Sequence, residues 1–154
     1  MRIKYSLKLV LLLTFFAYQC KNAPQKTISE VENKMFSFKT TECMGTCPVF
    51  TFTVYTDGSC SYNGVKNVNN VGTFIGALSA TQLQSLKEQL LYADFFNLKV
   101  ENNSLAKDLP TSNLYYNNGV NDRTIIYYNA ENKTVDKLIE MANSMITNIE
   151  WNEK

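Results

Sequence analysis

The stretch from Val49 to Gly64 constrains this chain more than any other. Val49-Phe50-Thr51-Phe52-Thr53-Val54-Tyr55 is rich in β-branched and aromatic residues and alternates, so it reads as a strand with one apolar face. Asp57-Gly58 then signals a hairpin, and register decides its kind. A two-residue loop would set Val54 against Ser61 and Phe52 against Asn63, apolar against polar. A three-residue Thr56-Asp57-Gly58 loop with a left-handed Gly58 pairs Tyr55 with Ser59, Val54 with Cys60, Phe52 with Tyr62 and Phe50 with Gly64. Only the second register gives one continuous apolar face. It also places Cys60 among core side chains, where a free thiol behaves as a small hydrophobe.

The neighbouring segments extend this into a sheet with helices. Phe36 and Phe38 mark one face of a strand over residues 35 to 40, and a short stretch near Val71 to Ile75 is extended. Ser79 and Gln82 form a capping box flanked by Leu78 and Leu83, followed by Leu86, Leu90 and Ala93 at helical spacing. Strands are expected near Leu114 to Asn118 and Thr124 to Tyr128, around Asn118-Gly119. The last helix starts near Asn132 to Thr134 and carries Val135, Leu138, Ile139, Ala142, Met145, Ile146 and Ile149 on one face. Short connections imply antiparallel pairing. The expectation is an α+β fold, βββ-α-ββ-α, with about five strands and both helices packed on one face.

The first residues read as an address. Arg2, Lys4 and Lys8 precede an uncharged run from Leu9 to Ala17, too short for the roughly 20 residues of a membrane-spanning helix. Cys20 follows, then a polar stretch containing Pro24. This order resembles the signal of bacterial lipoproteins, in which the Cys is lipidated; Tyr18 and Gln19 depart from the small residues expected just before it. The reading is a signal peptide over 1–19, a tether over 20–33 and one domain over 34–154. It places the protein in the cell envelope, anchored to the lipid bilayer through Cys20, facing the periplasm or cell surface.

Composition then excludes whole classes of chemistry. The chain has 15 Lys and Arg against 14 Asp and Glu. Without the three cations of the leader the balance is 12 against 14, near −2, and Arg123 is the one arginine left. Nucleic acid, which demands clustered cations, is not an expected partner. There is no histidine, so Ser-His-Asp and Cys-His catalysis, His-ligated zinc and His-ligated haem are out of reach. No residue is assigned a catalytic role.

The sharpest motif is Cys43-Met44-Gly45-Thr46-Cys47-Pro48. In an oxidising compartment two Cys around a Gly can close a small disulfide that fixes the start of the following strand, worth about 2 kcal/mol. The alternatives are thiol-disulfide redox chemistry and a soft-metal site, with Cu(I) held by Cys43, Cys47 and Met44. C-x-x-x-C-P is similar to the copper-binding loop of the synthesis-of-cytochrome-oxidase copper chaperones, but the distant His of that family has no counterpart here. A second resemblance spans more of the chain. Cys43, Gly45, Cys47 and Pro48, then Asp57-Gly58, Tyr62, Gly64 and Asp108 to Thr111, resemble an uncharacterised domain of Gram-negative envelope lipoproteins. That resemblance implies export and one compact domain, and no reaction.

Asp108, Arg123, Tyr115 and Tyr127 complete the candidates, as a binding surface on the sheet. Asp108 also suits a turn, Arg123 a carboxylate clamp or a surface ion pair, and the Tyr pairs ordinary sheet packing. The resulting expectation is a non-catalytic binding or interaction module with an envelope protein as partner and no cofactor.

Overall fold

The computed structural model describes residues 33–102, 108–128 and 130–154. The expected leader, Cys20 and nearly all of the tether lie outside the described residues. Among those described, no helix is long and apolar enough to cross a membrane.

Seven strands form one antiparallel sheet: β1 (Lys34–Thr40), β2 (Val49–Tyr55), β3 (Ser59–Lys66), β4 (Gly72–Ala77), β5 (Ser112–Asn117), β6 (Asp122–Tyr127) and β7 (Asn152–Glu153). Their order across the sheet is β6-β5-β1-β2-β3-β4-β7. Helix α1 (Ala80–Tyr92) follows β4, and α2 (Lys133–Asn148) follows β6. The α+β class and the two helices are as expected from the sequence. The strand number is not: seven replace about five. Strand β4 reads weakly because Gly72 and Gly76 interrupt its alternation, and β7 is two polar residues with no pattern of their own.

The central hairpin adopts the three-residue loop. Gly58 has φ +86° and donates its N–H to the Tyr55 carbonyl at 3.0 Å, while Val54 faces Cys60, Phe52 faces Tyr62 and Phe50 faces Gly64. Register then carries each apolar row across the whole sheet. Arg123, Tyr116, Phe36, Val54, Cys60 and Gly76 form one row, and Ile125, Leu114, Phe38, Phe52, Tyr62 and Phe74 the next. Both helices cover this face, their buried Leu86, Leu90, Val135, Leu138, Ala142 and Met145 joining the strand residues in a single core. Burying a side chain of that size contributes roughly 1.5–3 kcal/mol.

Both helix starts follow from their caps. Ser79 accepts from the Gln82 N–H at 3.2 Å and Gln82 Oε1 accepts from the Ser79 N–H at 2.8 Å, closing the predicted box. Asn132 caps α2 by accepting from Thr134 and Val135 N–H. The C-terminal segment closes the core in a way the sequence did not announce. Trp151 stands edge-on to Phe52 at 6.1 Å and tilted on Tyr62 at 5.6 Å, and its Nε1 donates to the Ile146 carbonyl. That packing delivers Asn152 and Glu153 to the outer edge of β4.

Candidate functional site: the disulfide loop and its neighbours

Three connections meet at one end of the sheet: residues 41–48 between β1 and β2, residues 67–71 between β3 and β4, and residues 108–111 leading into β5. The Thr56–Gly58 turn lies at the other end. Cys43 and Cys47 stand at disulfide distance, with Cα atoms 5.8 Å apart, inside the range a disulfide requires. The pair closes a loop that joins β1 to β2.

Hydrogen bonds seat this loop on its neighbours. The Met44 N–H donates to the Asp108 carbonyl at 3.4 Å, a long bond. Thr41 N–H donates to the Thr111 carbonyl, and Thr111 N–H donates to Thr41 Oγ1 at 2.9 Å. Thr40 Oγ1 donates to the Pro48 carbonyl at 2.7 Å and accepts from the Phe50 N–H. On the other flank Asn67 Nδ2 donates to the Cys47 carbonyl at 3.0 Å. Asn67 has φ 55°, a left-handed conformation that Asn tolerates better than most residues. Glu42 and Lys66 form an exposed ion pair at 3.7 Å, the kind that adds little stability.

Gly64 explains the spacing after Tyr62. A Cβ on Gly64 would fall on the Asn70 carbonyl oxygen, so only glycine lets the 67–71 connection fold back over β3. Pro48, Tyr62, Val68, Ile146 and Trp151 line a hollow of about 620 Å³ beneath that connection. The motif segments that lie far apart in the chain therefore converge. C-x-G-x-C-P rests on D-L-P-T, and Y-x-G supports the loop that reaches Cys47.

This end exposes polar side chains, Glu42, Lys66, Asn67 and Asn70 among them, and apolar ones beside them. Met44 is 84% exposed and Leu109 is 45% exposed, on the two segments joined by the Met44–Asp108 bond. A bond between the two sulfurs removes both thiolates, so metal or redox chemistry at this loop requires the reduced pair.

The other candidates are dispersed. Arg123 lies on the helix-covered face, its guanidinium on the carbonyls of Phe95, Phe96 and Leu98. Among the described residues its partners are these carbonyls at the exit of α1 and not a carboxylate. Tyr115 lies on the opposite face, its ring 4.0 Å from Lys34 Nζ. Tyr127 is 8% exposed; its hydroxyl donates to Asp136 Oδ1 at 2.7 Å and accepts from the Asn132 N–H. Arg123 and Tyr127, alternate residues of β6, therefore share the covered face, Tyr115 lies on the opposite one, and Asp108 sits in the connection before β5: successive side chains along a strand point to opposite faces. Burial, then the bond to Asp136, raises the Tyr127 phenol above its ordinary pKa. Cys60 is 2% exposed, and burial pushes its thiol up to about 12. Asn67, part of the convergent end, carries no signal beyond the preference of Asn for left-handed turns.

Residues 34–149 match the model of a family described as a domain of unknown function (DUF6438). The chain belongs to that family. The match runs from the first residue of β1 through α2, so the DUF6438 domain takes in all three convergent connections and the two helices. No curated protein matches the chain, and no solved structure does.

Proposed function

We propose that this DUF6438 domain is a non-catalytic interaction module held at a bacterial envelope membrane through Cys20, with Cys43–Cys47 as a structural clasp. The observation that carries the reading is the paired tip. Met44 and Leu109 are exposed on two segments joined by the Met44–Asp108 and Thr41–Thr111 hydrogen bonds, the first of them closed on itself by the Cys43–Cys47 pair. An apolar pair fixed in this way loses little conformational entropy on docking, which is what a protein–protein contact rewards.

Geometry supports the orientation. Strand β1 starts at Lys34, at the Thr56–Gly58 end, and the Asn33 carbonyl accepts from the Thr56 N–H. A tether over residues 20–33 would therefore join the sheet at the end away from the tip. The seven residues of β1 span roughly 20 Å, so an anchored domain would offer the tip to a partner protein well clear of the bilayer.

Site-specific photo-crosslinking in intact cells tests the docking role. A probe at position 44 should capture a discrete envelope protein that a probe at exposed Val120 does not, and the capture should fall in a Cys43→Ser/Cys47→Ser variant. Metabolic labelling with a fatty-acid analogue, lost in Cys20→Ala, tests the anchor. Free thiols in the native protein, with one equivalent of Cu(I) bound in the reduced state and lost in Cys43→Ser, would replace this reading with thiol-based metal handling.

A further inference from the structure

The opposite end of the sheet carries a second feature, a hollow of about 780 Å³ at the rim of β4. It exists because β7 is short. β7 pairs with Phe74 and Ile75, while β4 runs on to Ala77. The Thr73 carbonyl accepts from the Lys154 N–H on the outer side of β4, and alternation turns the N–H and C=O of Ala77 the same way. Gly76 shapes the floor. A Cβ there would collide with the Ile149 Cγ2 methyl, so glycine lets the end of α2 sit low against the sheet beside buried Cys60.

Its polar lining comes from both sides of the β4 edge, Tyr55 and Ser61 from the uncovered face of the sheet, Gln82 and Asn148 from the helices and Asn152 from β7, all neutral and all able to hydrogen-bond. The hydrogen bonds these side chains already make leave complementary capacity. Gln82 uses its carbonyl oxygen on the Ser79 N–H, leaving its NH2 group as donor. Asn148 uses its NH2 group on the Ser144 carbonyl at 2.8 Å, leaving its oxygen as acceptor. The Tyr55 hydroxyl and Ser61 Oγ are 3.4 Å apart and share one hydrogen bond, keeping lone pairs for another partner.

We infer that this hollow is a binding site for a neutral saccharide. Glu150 and Lys154 bring one charge of each sign, not the clustered cations that phosphate groups require. An apolar ligand would strand the amides and hydroxyls without partners. Sugar hydroxyls both donate and accept, which answers the mixed capacity of the rim, and the Tyr55 ring supplies an apolar surface for a sugar face. A peptide added as a strand would need a run of outward backbone groups, and Ala77 alone is not a run. The volume lies within the roughly 300–1,000 Å³ typical of small-ligand sites. The hollow is at the other end of the sheet from Met44, so the two readings stand or fall separately.

The test is an amide NMR titration of the full chain with triacetylchitotriose and, separately, with maltotriose. At least one sugar should give saturable shifts at the Ala77 N–H and at the side-chain amides of Gln82, Asn148 and Asn152. Asn148→Ala and Asn152→Ala should each weaken binding roughly tenfold while the Trp151 indole resonance stays in place. No saturable shift with either sugar, or shifts unchanged in both variants, would overturn the proposal. So would a response at this rim to trialanine with none to the sugars, which would assign it to a peptide.

Discussion

Arg123 donates from Nη1 to the Phe95 carbonyl oxygen across 2.8 Å. The same nitrogen reaches the Phe96 carbonyl at 2.7 Å, and Nη2 reaches Leu98 at 2.7 Å. The chain beyond α1 turns through Asp94 at φ 44° and leaves these carbonyls without a helical partner. A planar guanidinium can meet all three, where an ammonium cannot hold the same fork. Arg123→Ala should destabilise the fold by roughly 2–4 kcal/mol, and Arg123→Lys should restore only part of that. Urea unfolding midpoints at unchanged slope would check it.

The crosslink should matter locally more than globally. Cys43→Ser/Cys47→Ser should cost about 2 kcal/mol, the chain-entropy value for so short a loop, and leave the sheet register intact. Amide exchange at Met44 should rise far more than at Phe52. Equal protection of Met44 in the two proteins would show that the bonds to Asp108 and Thr111 suffice to hold the loop.

Gly64→Ala should be disproportionately damaging for one methyl group. The new Cβ would displace the Asn70 carbonyl, and with it the connection that carries Asn67 to the Cys47 carbonyl. A loss of roughly 1–3 kcal/mol is expected, the range for overpacking. Gly119→Ala is the control for space, since nothing lies within 4 Å there, although its φ of +92° adds backbone strain.

Cys60 should give the protein an alkaline limb. Its thiol is raised from an ordinary value of 9.0 to about 12 by burial. Below pH 9 both states are protonated and the group contributes nothing to the pH dependence. Between 9 and about 12 the unfolded chain ionises while the folded one does not, so stability falls across that window as pH rises. Cys60→Ala should remove this part of the slope, measured as ΔG of unfolding against pH. In native protein at pH 8 the thiol should resist maleimide until denaturant is added.

Local pattern made much of this fold legible. Alternation in Val49 to Tyr55, combined with Gly58, was enough to choose the hairpin register, because a one-residue slip would have turned Phe52 onto a polar partner. The Ser79–Gln82 box and the Asn132 cap were equally local and equally readable. Strand β7 was not, since Asn152 and Glu153 acquire a strand partner only once Trp151 is packed on Phe52 and Tyr62. The partners of Arg123 are hidden from the sequence for the same reason: they are backbone carbonyls 25 to 28 residues away, which no side-chain pattern encodes.

Residue type and spacing are enough for both helices, the central strands, the apolar face of the sheet and the chemistry that a chain without histidine cannot perform. Those follow from spacing and residue type, both local properties. Tertiary structure alone decided that Met44 and Leu109 would stand together at one end, and that β7 would stop short of Ala77 at the other. Both depend on where distant segments come to rest, and that is settled by packing and hydrogen-bond closure across the whole sheet rather than by any segment alone.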